Sequence, residues 1–280
     1  MKNRISLATR KPKRLFTFGC SYTAWIWTTW AEIVAYEFKC PLYNFGWPGN
    51  SNNLIFNSIQ QADAHYSFNK NDLVIVCWSN LLRDSKFTDN SWKRTGIFEN
   101  FEKFGSDFLN KVVDVNGYYL ETLGFIKSTN DLLTYKGCEH HQFSMNSLDI
   151  DLDKFIKEKT SNMFNNVCLP SMTSILYNDD YTNKFTYNKI VSDTFKDNHP
   201  LPLEHFNYLQ SVFDCKFSTD VYQKVESIQN NLIPILRKIP PNVDNILPYS
   251  SECTAYIDKN FLWSNELYVD DTNKKYFLLQ

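Results

Sequence analysis

The sequence predicts an α/β fold, a three-layer α/β/α sandwich around a mostly parallel sheet, followed by a C-terminal extension. Three observations predict it. Short apolar runs punctuate the first 80 residues, amphipathic stretches separate them, and each run stops in polar, turn-forming residues. The runs "RLFTF" (14–18) and "LVIVC" (73–77) read as buried parallel strands, rich in aromatic or β-branched side chains, and "LYNF" (42–45) reads as a third. The stretch "WTTWAEIVAYEF" (27–38) repeats Trp27, Trp30, Val34 and Phe38 at helical spacing. In "SNNLIFNSIQQADAHY" (51–66), Leu54, Ile55, Ile59 and Ala62 share a face, and Ser51 or Asn52 is the expected N-cap. Strand, helix, strand, helix, strand is the pattern of a βαβαβ sheet, whose ligands sit at the carboxyl ends of the strands.

Further along, the pattern is sparser. Helices are expected over 100–115 and 118–135, a fourth strand over 141–145, and helices over 201–213 and 220–239, the last interrupted by Pro234. The chain divides into a main domain over 13–215, with a divergent or inserted middle at 85–190, and an extension over 216–280 that offers a surface for oligomer formation.

Composition narrows the function. At 280 residues the chain buries a full core, and 43% hydrophobic with 21% charged residues describes a globular protein. A net charge of −2 makes no electrostatic case for nucleic acid or an acidic membrane surface. No apolar run long enough for a signal-peptide core or a membrane helix is present, so a soluble, cytoplasmic protein is expected, with a virion component as the other setting. Seven scattered cysteines without a CxxC pair read as free thiols. "CEHH" (138–141) has no second cluster to complete a metal site, and "DIDLD" (149–153) lacks the glycine and closing glutamate of a calcium loop. No metal or other cofactor is called for.

The chemistry-bearing residues gather at the strand ends. After the first strand comes Gly19-Cys20-Ser21, a serine on a sharp strand-to-helix turn, where backbone N–H groups and a helix dipole would stabilise developing negative charge. After the second comes "NFGWPGNSN" (44–52), whose glycines let backbone approach a ligand. After the third, "WSNLLRD" (78–84) offers the Asn80 amide and the Arg83 charge. A serine nucleophile needs a base and an orienting acid, and "DNHP" (197–200) supplies Asp197 and His199. His205 is the rival base, although packing at a helix start is its simpler reading. Trp25, Trp27, Trp47 and Trp78 fall near the same strand ends, where exposed rings hold sugars or acyl chains.

The set "FGCSYT", "NFGWPGNSN", "WSN" and "DNHP" resembles the four blocks of the SGNH hydrolases, the GDSL esterase/lipase superfamily. The resemblance implies a flavodoxin-like SGNH fold, with Ser21 as nucleophile, Gly49 and Asn80 joining Ser21 in the oxyanion hole, and His199 and Asp197 as base and acid. It implies an ester substrate, a small molecule or a glycan, contacted by Trp47, Trp78 and Arg83. The blocks depart from the family at three points. Cys20 stands where the founding motif has Asp, Asn80 lacks the usual flanking Gly and Asp, and Asp-x-His replaces the commoner Asp-x-x-His. Two functions follow: a serine esterase or acyltransferase acting on an O-acyl group of a carbohydrate, or an inactive SGNH-like domain that binds glycans or serves in assembly.

Overall fold

Buried strands and their alternating side chains organise the molecule. The computed structural model describes residues 4–88, 90–97, 114–148, 153–165, 167–179 and 199–238. In chain order these form β1 (Arg14–Gly19), α1 (Trp30–Phe38), β2 (Leu42–Gly46), α2 (Asn52–Tyr66), β3 (Asp72–Trp78), β4 (Arg83–Thr88) and β5 (Ser91–Ile97). There follow α3 (Val115–Lys136), β6 (Glu139–Ser144), α4 (Lys154–Asn165), α5 (Met172–Tyr177), α6 (Pro202–Val212) and α7 (Thr219–Leu236).

The main sheet has the order β2-β1-β3-β6, and every pairing is parallel. With both faces covered, its strands read as unbroken apolar runs whose residues divide by parity. Leu73, Ile75 and Cys77 of β3 join one core with Trp30, Val34, Met172, Phe206 and Val221. Val74, Val76 and Trp78 join the opposite core with Ile55, Ile59, Leu123 and Ile126. Helices α1, α5, α6 and α7 thus cover one face and α2 and α3 the other, the three-layer sandwich that the sequence predicts.

The chain passes from β1 to β2 on one side and then to β3 on the other, so β1 and β3 flank the topological switch point. Helix α7 runs through Pro234 to Leu236 without the expected interruption. The proline removes the N–H that would bond the Asn230 carbonyl, and burial of Leu232 and Leu236 on either side offsets that loss. The helix expected over 100–115 falls almost wholly outside the described residues, as does the tail after 238.

An antiparallel hairpin, β4–β5, follows β3 where the sequence pattern was sparse. Asn90 in its turn takes φ 58°, a left-handed conformation that Asn tolerates. Phe87 pairs with Trp92 across it, their rings 5.6 Å apart.

Candidate active site

Ser21 follows β1 directly, in a turn closed by Thr23 N–H and Ala24 N–H, which donate to the Cys20 carbonyl at 2.9 and 3.2 Å. The serine is 3% exposed. It does not sit at a helix N-terminus as expected, because α1 begins only at Trp30. Thr29 caps that helix in a capping box with Glu32, and the intervening segment packs Trp27 into the protein instead of coiling. The N-terminus of α1 is therefore not at Ser21.

Gly19 and Gly46 are explained by close packing of this turn on the ends of β1 and β2. A Cβ on Gly19 would collide with Thr23 Oγ1 and lie 2.9 Å from the Cys77 carbonyl oxygen. One on Gly46 would lie 2.9 Å from Ala24 N and from Thr23 Cβ. A polar network fixes the turn from below. The Thr29 hydroxyl and Asn44 Nδ2 donate to the Thr23 carbonyl at 2.7 and 3.1 Å. Both groups also reach the buried Glu32 carboxyl, at 2.6 and 3.3 Å. Burial pushes the Glu32 pKa up, against those hydrogen bonds.

The β2 end carries Gly49 at φ +82°, a backbone that any side chain would strain. Asn50 Nδ2 donates to the Gly19 carbonyl at 3.0 Å, joining this loop to the strand that leads into Ser21. The next asparagine, Asn52, accepts from Ser79 N–H at 2.7 Å and donates to the Ser79 carbonyl at 3.2 Å, which sets the start of the Asn80 loop. Asn80 Oδ1 accepts from Leu82 N–H at 2.8 Å. Among the described residues, the Ser21 amide, the Gly49 amide and Asn80 Nδ2 have no hydrogen-bond acceptor, and Ser21 Oγ has no partner. These donors leave three adjacent strand ends, with β1 in the middle.

His199 stacks on Trp25, ring centroids 3.6 Å apart, and its ring lies 5.7 Å from that of Tyr22, the neighbour of Ser21. Trp27 Nε1 donates to the Pro200 carbonyl at 2.8 Å and anchors the same segment. Tyr22, Trp25 and Trp27 therefore hold the His199–Pro200 segment against the chain that follows Ser21, some 170 positions away in sequence. Asp197 lies outside the described residues. His205 is buried in α6, its Nδ1 without a partner among the described residues. Burial, and then the charge of His199, pushes its pKa down to about 3. That shift and its burial weigh against His205 as the base.

The three residues expected to contact substrate differ in exposure. Trp47 is 49% exposed, with the Arg94 guanidinium 5.2 Å from its ring centroid. Arg83 is half-buried and donates from Nη1 to Ser79 Oγ at 2.9 Å. Trp78 is a correction. It is fully buried and its Nε1 donates to Gln142 Oε1 at 2.9 Å, because the last residue of a strand covered on both faces points into the core. Neither Asn50 nor Arg94 is among the residues expected at the site; Asn50 ties the loop to Gly19 and a hairpin brings Arg94 onto it. The signal for that hairpin was present: Phe87 and Trp92 flank a Thr-Asp-Asn-Ser turn symmetrically.

In the "CEHH" run, His140 pairs with Asn130 Oδ1 and the Cys138 carbonyl, and His141 with the Leu7 carbonyl. No described helix is long and apolar enough to cross a membrane.

No family model and no curated protein matches the chain. Among solved structures, it is similar to a G-D-S-L family protein described as lipolytic from Desulfitobacterium hafniense, at 14% identity and TM-score 0.41, covering 72% of this chain and 99% of that one. It is also similar to a GDSL-like lipase from Bacteroides thetaiotaomicron, at 12% identity and TM-score 0.36, covering 80% and 92%. A third is a lipolytic G-D-S-L family member from Veillonella parvula, at 15% identity and TM-score 0.38, covering 71% and 97%. All three carry the GDSL name. The likenesses are distant, and the functional reading rests on the geometry of the chain itself.

Proposed function

We propose that the chain is an SGNH-type serine esterase that hydrolyses or transfers an O-acyl group, with a carbohydrate ester as substrate. One observation carries the reading. The ends of three adjacent strands carry Ser21, without a hydrogen-bond partner among the described residues, and the Gly49 and Asn80 donors, and His199 packs on Tyr22 and Trp25 of the Ser21 segment. Preorganised donors at the carboxyl end of a parallel sheet suit a ligand that develops negative charge there.

In this reading Ser21 Oγ attacks the acyl carbonyl while His199 takes its proton, and Asp197 orients the imidazole. The carbonyl oxygen becomes an oxyanion, held by the Ser21 and Gly49 amides and Asn80 Nδ2. The alcohol leaves with the proton from His199. Water or a second hydroxyl then gives up a proton to His199 and attacks the acyl-enzyme, returning Ser21 free. The exposed Trp47 ring supplies a flat apolar face suited to a sugar ring, which supports the carbohydrate substrate.

A fluorophosphonate probe and p-nitrophenyl acetate test the proposal together. Wild type should label at Ser21 and turn over the ester, and Ser21→Ala should do neither while melting normally. A well-folded wild type that neither labels nor turns over would leave the non-catalytic glycan-binding or assembly role in its place.

A further inference from the structure

The strongest unassigned feature outside the triad is the junction between the β4–β5 hairpin and the turn over residues 47–53. Asn50, Ser51 and Asn53 of that turn each bond to the hairpin. Ser51 Oγ donates to Ser85 Oγ at 2.6 Å, and Asn53 Nδ2 reaches Asp84 Oδ1 and the Ser85 carbonyl at 3.1 and 2.9 Å. Arg94 crosses the whole turn. Its guanidinium lies over Trp47, and its stem passes 3.8 to 3.9 Å from the point where a Cβ on Gly49 would sit. Its Nε donates to Asn50 Oδ1 at 2.9 Å. Asn50 in turn donates to the Gly19 carbonyl, two residues before Ser21.

We propose that Arg94 is a positioning residue. Through Asn50 it holds the Gly49 amide and the Ser21 turn in one fixed relation. The proposal rests on the reading of Ser21 and Gly49 as nucleophile and oxyanion donor. Its physical basis is the amide of Asn50, which has one acceptor and must face it towards Arg94 to present its N–H to Gly19. Without the Nε donor the amide can turn over or detach, and the turn carrying Gly49 loses its only side-chain tie to β1 among the described residues. Oxyanion donors contribute through preorganisation, so a loosened donor costs rate more than binding.

Two substitutions separate this role from charge or bulk. Arg94→Gln removes the charge but places its amide nitrogen where Nε stood. Arg94→Lys keeps a cation near Trp47 but puts a methylene at the Nε position. The full chain of each is compared with wild type by ester kinetics, by fluorophosphonate labelling, and by amide hydrogen exchange of the peptide covering 44–52. Expected is a fall in kcat and labelling rate of about tenfold for R94K, with KM unchanged and faster exchange over 44–52, and values within about twofold of wild type for R94Q. The reverse order, or no effect in either variant, overturns the proposal. Exchange keeps the two readings apart. If wild type fails to label, the esterase reading falls, and faster exchange in R94K but not R94Q still establishes the tie from Arg94 to the turn. Unchanged exchange in both variants removes that tie.

Discussion

Gly19→Ala adds one methyl group at the place where β1 hands over to the Ser21 turn, and the structure says why that methyl has nowhere to go. Its Cβ would overlap Thr23 Oγ1 and lie 2.9 Å from both Thr23 Cβ and the Cys77 carbonyl oxygen. Rotating Thr23 moves its hydroxyl but not its Cβ, and the Cys77 oxygen belongs to β3. Nor can Thr23 retreat, since its N–H is bound to the Cys20 carbonyl and its own carbonyl takes hydrogen bonds from Thr29 and Asn44. Overpacking a core typically costs about 1–3 kcal/mol, and with two of three neighbours immovable the upper end applies, about 3 kcal/mol. For a chain of this size that is a fall in Tm of about 6–12 °C. Gly124→Ala is the control from the same protein. Nothing lies within 4 Å of its added Cβ on the exposed face of α3, so the gain in helix propensity should raise Tm by about 2–4 °C. Thermal unfolding by circular dichroism reads both, and Gly19→Ala should also lose Ser21 labelling. A Gly19→Ala protein that melts within 2 °C of wild type and labels normally would refute the packing argument.

The buried His205 predicts a pH dependence. Its pKa is about 3 in the fold against 6.5 unfolded, so the unfolded chain binds the extra proton between those values. The stability conferred by neutral His205 is complete above pH 6.5 and lost towards about 3, by a few kcal/mol, and urea titrations should show the gap between wild type and His205→Gln closing over that window. Arg14 meets Asp72 with two hydrogen bonds of 2.7 Å, and Asp72 is buried. Arg14→Met strands that carboxylate and should cost about 3 kcal/mol, whereas Lys127→Ala, in an exposed helix pair with Asp131, should leave Tm unchanged. Trp78→Ala should destabilise by about 3–5 kcal/mol as a core deletion. Trp47→Ala should leave Tm nearly unchanged and raise KM for an acylated sugar relative to p-nitrophenyl acetate, a split that fails if Trp47 has no part in binding.

The elements that could be read locally are those whose signal lies within a dozen or so residues. The apolar runs of β1, β2 and β3 and the spacing in α2 are of this kind, and each ends within a residue or two of its expected limit. So are the polar, glycine-bearing strand ends, because turn chemistry is a short-range constraint. By itself the sequence therefore determined the layered sheet and the placement of Ser21, Gly49 and Asn80 at its carboxyl edge. Tertiary structure alone decided the rest. It delayed α1 to Trp30, which left Ser21 on a turn, and it buried Trp78, because strand parity against two helix layers settles which tryptophan faces out. It stacked His199 on Trp25 and brought Arg94 over Gly49, contacts between segments some 170 and 45 positions apart. No periodicity encodes such meetings. They follow from which faces must be buried together once the sheet has formed.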